Sequence, residues 1–149
     1  MFMADDDFNE LCYYTLLHGG AEFIHQHVVD AIGAQEASPD DKPVRLVFAL
    51  AGLYLHVERG FTGREVQLAH AKLAQRKQAW PVLAIPEDRG SINPAAVIAA
   101  SADEREAMIY EWCRSVWHAF SIHRDVVERL LYDSQIVGPP ENGLDRSGR

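Results

Sequence analysis

The 149-residue sequence has few cysteines and no long apolar run, and both absences restrict its class. Its two cysteines, Cys12 and Cys113, form no C-x-x-C pair, so the sequence contains no zinc-ribbon or redox motif. No run of about 18 apolar residues occurs, so no membrane helix is predicted. We therefore expect a cytoplasmic protein with reduced thiols and no membrane partner.

Basic residues are also scarce. The chain has 14 Lys and Arg against 22 Asp and Glu, a formal charge of -8. Sequence-independent binding to phosphate backbones needs a basic surface, so nucleic acid is not an expected partner. Hydrophobic residues make up 48% of the chain, which is typical of a globular domain with one core.

Apolar residues recur with helical spacing, and no segment alternates with the period of two that is typical of strands. The segment 43–59 is apolar on nearly every side and is followed by Gly60, so it predicts a central helix. Thr62 and Glu65 form a predicted capping box at the start of the next helix. The other predicted helices cover 7–18, 21–36, a short stretch near 94–100, and 102–133.

These elements predict an all-α, single-domain helical bundle of about five helices. Three prolines and a glycine in 80–94 predict an irregular crossing, with Trp80 as its anchor. The domain is expected to cover 1–135. The composition of 136–149 predicts a mobile C-terminal tail.

Two polar side chains fall on the apolar faces of these predicted helices. On a wheel of about 100° per residue, His123 shares the apolar side of the last helix with Trp112, provided that the helix is not kinked near Ser121. Glu58 lies on the apolar line of the third helix, where an unpaired buried charge is costly. However, Glu58 is also in the last turn beside Gly60, from where it can reach solvent. His70, beside Val66 and Leu73, is expected to be a packed core histidine.

The stretch "FIHQHVVDAIGAQ" (23–35) permits two interpretations. In the first, His27 and Asp30 pair on the surface at i, i+3, and His25 is hydrogen-bonded at a helix contact. In the second, His25, Glu58 and His123 converge in the core from three helices. Imidazoles and a carboxylate suit zinc or another divalent transition metal, and without metal they suit acid–base chemistry. No H-E-x-x-H, E-x-x-H or H-x3-H spacing accompanies them.

Three segments, "FIHQHVVDAIGAQ", "LAGLYLHVERG" and "SVWHAFSIHRDVVERLL", resemble a family of small bacterial all-helical proteins of unknown function. The resemblance covers roughly residues 10–132. It implies a His-x4-Asp-x4-Gln block at His25, Asp30 and Gln35, a second block near Glu58 and Gly60, and a Trp and His block at Trp117 and His123. Many relatives carry a cysteine pair before the helices, whereas this chain has only Cys12 there. No zinc role of that pair carries over.

Two hypotheses of function follow. In the leading hypothesis, a polar pocket binds a metal ion or a small molecule. Whether it also catalyses a hydrolase-like reaction is left open. Its ligand-binding residues are His25, Asp30, Glu58, Trp112 and His123, and its metal ligands are His25, Glu58 and His123. In the alternative, the chain is a non-catalytic homodimer whose core polar residues fix helix register, with the apolar third helix and exposed aromatics at the dimer face.

Overall fold

A computed structural model describes residues 5–17 and 22–139 of the chain. These residues form helices and no strand, which confirms the predicted all-α, single-domain fold. The helices number seven in this part of the chain, against about five predicted: α1 (Asp5–Leu17), α2 (His25–Gln35), α3 (Pro43–Arg59), α4 (Gly63–Ala74), α5 (Pro94–Ala99), α6 (Ala102–Ala119) and α7 (Arg124–Asp133). None of the helices described is both long and apolar enough to cross a membrane.

Helix α3 is the centre of the bundle, as its sequence predicts. It begins with Pro43 in its first turn and ends at Gly60, whose φ of 73° is the left-handed conformation that glycine adopts at low cost. Every residue from Ala49 to Leu55 is buried. The helix packs against α2, α4, α6 and α7, so its apolar sides are covered by the same chain.

Helix α2 begins later than its apolar pattern predicts. Residues 22–24 form a turn, in which Phe23 has a φ of 53°. This left-handed conformation is incompatible with the interior of an α-helix, so regular structure starts only at His25. The predicted start at residue 21 falls outside the described residues.

The single helix predicted over 102–133 is wrong. Helix α6 ends at Ala119, a 3₁₀ turn covers Ser121–His123, and α7 starts at Arg124. The backbone departs from helical geometry at Phe120 (φ -101°, ψ 16°) and at His123 (φ -97°, ψ 5°). Apolar periodicity continued through the break, so the pattern gave no sign of it.

The capping box and the irregular crossing are confirmed. Thr62 Oγ1 accepts from the Glu65 amide at 3.2 Å, and Glu65 Oε1 accepts from the Thr62 amide at 2.9 Å. Residues 76–93 form no helix and run across the bundle. Trp80 is half-buried in this crossing and packs edge-on against Phe48, with ring centroids 5.4 Å apart.

The end of α7 leads into a short ordered segment. The Ile136 amide donates to the Leu131 carbonyl at 2.9 Å, and Ile136 and Val137 pack against the core. The first residues of the predicted tail therefore belong to the folded body. Residues 140–149, where the rest of that tail falls, lie outside the described residues, and its mobility stays a prediction.

Candidate ligand-binding cleft

Three polar residues of α2 follow each other at intervals of five, namely His25, Asp30 and Gln35. Each interval turns the side chain by about 140° round the helix axis, because one residue turns it by about 100°. The three side chains therefore point in three directions. Their partners lie in α1 for His25 and in α6 for Gln35, while Asp30 faces Gly52 of α3.

His25 joins the start of α2 to α1. Its Nδ1 lies 2.9 Å from Thr15 Oγ1, while the same hydroxyl donates to the Cys12 carbonyl at 3.1 Å. The prediction that His25 is hydrogen-bonded at a helix contact is confirmed. Partial burial lowers the pKa of His25, which favours the neutral imidazole.

Gln35 joins the end of α2 to α6 and to the crossing segment. Its Oε1 accepts from Trp112 Nε1 at 3.1 Å, and its Nε2 donates to the Ile92 carbonyl at 2.7 Å and the Arg89 carbonyl at 3.3 Å. Trp112 is fully buried. The amide of Gln35 uses both its donors and its acceptor on these neighbours, which is the pattern of a residue that fixes packing.

Asp30 differs from both, because one of its oxygens has no partner in the described structure. The residue is only 3% exposed. Gln26 Nε2 donates to Asp30 Oδ1 at 3.1 Å, and Oδ2 is buried without a hydrogen bond. Burial raises the pKa of the Asp30 carboxyl well above its ordinary value, and the Gln26 hydrogen bond offsets this only in part.

The neighbour that makes room for this carboxyl is Gly52. A methyl group at position 52 would overlap Oδ2 and Cγ of Asp30. Residue 52 is in the middle of α3, where glycine destabilises a helix by about 0.5–1 kcal/mol relative to alanine. Helix α3 therefore accepts an unfavourable residue at the point where it faces the Asp30 carboxyl.

Beside Asp30, His27 forms a buried stack with His56 of α3. The ring centroids are 3.7 Å apart and the planes differ by 18°. The predicted surface pair of His27 and Asp30 is wrong, because both residues are 3% exposed and His27 Nδ1 has no partner within the described structure. Burial lowers the pKa of His27 to about 3 and that of His56 to about 4, with the facing imidazole adding to the shift at His27.

A cleft of about 550 Å³ opens beside Asp30 and Gln26. Its walls come from α1 to α4 and combine apolar with polar and charged side chains. Besides that pair they comprise Phe8, Val29, Ile32, Gly33, Glu36, Arg45, Phe48, Ala49 and His70. His70 Nε2 lies 2.8 Å from the Phe48 carbonyl, and the two rings stack with centroids 5.3 Å apart. The prediction that His70 is a packed histidine is confirmed, and its ring forms part of the cleft wall.

Glu58 lies at the rim of the bundle and is paired. Its Oε2 accepts from Trp117 Nε1 at 2.7 Å, and Arg124 Nη2 lies 2.8 Å from its Oε1. The side chain is 25% exposed. Of the two interpretations of Glu58, the position near solvent therefore agrees with the structure, with an arginine as partner.

His123 is buried, with 9% exposure, although the continuous helix from which its inward position was predicted is broken here. Its Nε2 lies 2.7 Å from the Ala84 carbonyl, so it fastens the 3₁₀ turn to the crossing segment. His25, Glu58 and His123 thus have separate partners. Within 5–17 and 22–139 no three His, Cys, Asp or Glu side chains are placed to hold a metal ion, so the predicted metal triad is not assembled.

Sequence reasoning missed the two residues that shape the surroundings of Asp30, Gln26 and Gly52. A signal for the second was present, since Gly52 and His56 lie four residues apart on the polar stripe of α3. That stripe faces Asp30 and His27, which are three residues apart on α2. Which stripe faces which is decided by packing, which the periodicity of one helix does not reveal.

The chain was also compared with known proteins. A family model described as a family of unknown function, DUF5946, matches residues 5–121. The chain belongs to this family. The resemblance to a family of unknown function is thus confirmed, and the DUF5946 match includes α1–α6 with all residues of the cleft and ends before His123. No curated protein and no solved structure matched the chain.

Proposed function

We propose that this protein binds a small organic molecule in the cleft between α1, α2, α3 and α4, with Asp30 as its polar anchor. The observation that carries the proposal is the Asp30 carboxyl, which borders the cleft, is 3% exposed and keeps one oxygen unpaired in the described structure. A buried polar group without a partner costs about 1–3 kcal/mol. Proteins retain such costs chiefly where function requires them.

The shape and lining of the cleft support the same proposal. Ligand sites for small molecules usually measure about 300–1,000 Å³ and are apolar with a few well-placed polar groups. The cleft has about 550 Å³ and combines Phe8, Val29 and Ile32 with the polar pair Gln26 and Asp30. A ligand with an apolar body and one polar group fits this lining.

The test uses the fluorescent probe N-phenylnaphthylamine, an uncharged aromatic amine that is small enough for the cleft. Val29 lines the cleft and is 39% exposed, so Val29→Trp fills the cleft from its rim with little strain on the core. Val126→Trp is the matched control, because Val126 is 46% exposed on α7 and does not line the cleft.

We expect saturable probe binding to wild type and to Val126→Trp, and binding at least about tenfold weaker to Val29→Trp, a loss of about 1.4 kcal/mol. Equal dissociation constants for the two variants would place the probe elsewhere and contradict the proposal. So would the absence of saturable binding to wild type.

A second candidate function is a homodimer, and one observation favours it. Helix α1 exposes Tyr13 by 66%, Leu16 by 58% and Leu17 by 64%. Helix α3, the dimer face considered from sequence, is covered by its own chain. Helix α1 replaces it as the candidate face because it exposes three large apolar side chains within five residues. Sedimentation equilibrium of Leu16→Glu, with Leu68→Glu on α4 as control, tests it: a dimer through α1 dissociates only in the first variant.

A further inference from the structure

Asp30 is the most deeply buried titratable residue in the lining of the cleft. Asp30 takes part in none of the ion pairs found among the described residues. An unpaired carboxylate is too costly to bury, so the group keeps its proton, and the raised pKa of Asp30 has the same cause. The inner wall thus offers a carboxylic acid and not an anion.

His70 is neutral as well. Its Nε2 lies 2.8 Å from the Phe48 carbonyl, and a carbonyl only accepts, so Nε2 carries the proton. In the neutral ring Nδ1 is an acceptor. Burial lowers the pKa of His70, which agrees with the neutral ring.

Two charged residues, Arg45 and Glu36, also line the cleft. Arg45 has a side chain that is 69% exposed, and its Nη1 lies 3.2 Å from Asp41 Oδ1. Glu36 is the other charged residue in the lining, of opposite sign, and it follows the last residue of α2. At Asp30 itself, which is in no ion pair among the described residues, a charged ligand group finds no countercharge.

The polar group that already contacts Asp30 is a carboxamide, that of Gln26, whose Nε2 donates to Oδ1 at 3.1 Å. A protonated carboxyl has one donor and one acceptor side by side, and a primary amide has the complementary pair. Gln26 lies near the start of α2 and lines the cleft together with Asp30, so a ligand in the cleft meets both side chains.

We propose that the ligand of this cleft is an uncharged molecule with a carboxamide or a similar planar donor–acceptor group, which takes the place of the Gln26 amide on Asp30. This inference rests on the proposed small-molecule function and specifies its ligand class. Gln26 then acts as an internal competitor that determines affinity.

The experiment compares three probes with the same ring and different charge: benzamide, benzoate and benzamidine. Dissociation constants are measured by ligand-observed NMR at about pH 7, where the last two are an anion and a cation. Wild type, Gln26→Ala, Asp30→Leu and the cleft-filling Val29→Trp are compared. Circular dichroism and urea unfolding establish that each variant is folded.

We expect benzamide to bind wild type at least about tenfold more tightly than the two charged probes. Its affinity should rise about tenfold in Gln26→Ala, because the competing amide is gone, and should be lost in Asp30→Leu and Val29→Trp. Tightest binding of benzamidine would show an ionised Asp30 and overturn the inference while leaving the cleft as a ligand site.

Equal affinities for the three probes, or a Gln26→Ala affinity for benzamide no higher than wild type, would also overturn it. If none of the three binds although N-phenylnaphthylamine does, the ligand class is wrong and the proposed function stands. If that probe fails as well, the proposed function falls too.

Discussion

Acidification should destabilise this protein through the stacked pair of His27 and His56. Both imidazoles are neutral in the folded state, with pKa values lowered from 6.5 to about 3 and about 4 by burial. In the unfolded chain they gain protons once the pH falls below 6.5. Their stabilising contribution is therefore complete above that pH and is lost as the pH falls towards the folded-state values.

The size of the effect follows from these values. A pH of about 5 is about 1.5 units below the pKa of each histidine in the unfolded chain, so these histidines are protonated there. In the folded state both rings are still mainly neutral at this pH. Each pH unit corresponds to about 1.4 kcal/mol. The free energy of unfolding therefore falls by about 2 kcal/mol for each histidine and by about 4 kcal/mol for the pair. That is a large part of the free energy of unfolding of an ordinary domain.

Asp30 changes stability with pH in the opposite direction, so it is replaced by Asn in both variants that are compared. Its pKa is raised in the folded state, hence its contribution grows as the pH falls towards the ordinary value of 3.8. We would measure urea unfolding by tryptophan fluorescence at about pH 7, 6 and 5 in Asp30→Asn and in Asp30→Asn with His27→Phe. The phenyl ring preserves a flat partner for His56 and removes one titrating group.

Between about pH 7 and 5 the stability of the first variant should fall by about 4 kcal/mol and that of the second by about 2 kcal/mol. Each value is counted beyond the loss that both variants share from His25, His70 and the carboxylates. Equal losses in the two variants would refute the argument. An NMR titration of His27 with a midpoint near 6.5 would refute it as well, because the ring would then be solvated.

Three further predictions concern packing and the extent of the site. Gly52→Ala should destabilise the fold by about 1–3 kcal/mol, because the added methyl group overlaps the Asp30 carboxyl. The same substitution should cost less in the Asp30→Ala background, and an equal cost in both backgrounds would contradict the contact. Trp112→Phe should cost about 1–3 kcal/mol in urea unfolding because Gln35 Oε1 loses its donor, and a neutral effect would argue against that bond. Glu58→Gln should leave the dissociation constant of N-phenylnaphthylamine unchanged, since Glu58 does not line the cleft; a clear loss of affinity would return it to the site.

Much of the fold could be predicted because it depends on local signals. Pro43 and Gly60 mark the ends of α3, and the pair of Thr62 and Glu65 marks the start of α4. The break between α6 and α7 could not be predicted, since the apolar pattern continues through the 3₁₀ turn at 121–123. Local signals indicate where helices start and stop, and a break without Pro or Gly leaves none.

The site was predictable in part for a related reason. Asp30 and His123 were singled out from the sequence as candidate ligand-binding residues, and that role stays a prediction. Both are buried, although the wheel that placed His123 on the apolar side assumed a continuous helix. The convergence of His25, Glu58 and His123 was not found, because three inward directions on three helices do not fix a common point. The stack of His27 on His56 and the fit of Asp30 over Gly52 depend on the relative rotation of α2 and α3, which single-helix periodicity leaves open.

The most direct test of the account is a carboxyl ¹³C NMR titration of Asp30, with and without benzamide. The account predicts that Asp30 remains protonated at pH values well above its ordinary 3.8, since its buried Oδ2 has no partner in the described structure. It also predicts that benzamide shifts the resonance and raises the pKa further, because the ligand pairs with the protonated form. Titration near 3.8, unaffected by benzamide, would contradict both the uncharged acid and the cleft as its ligand site.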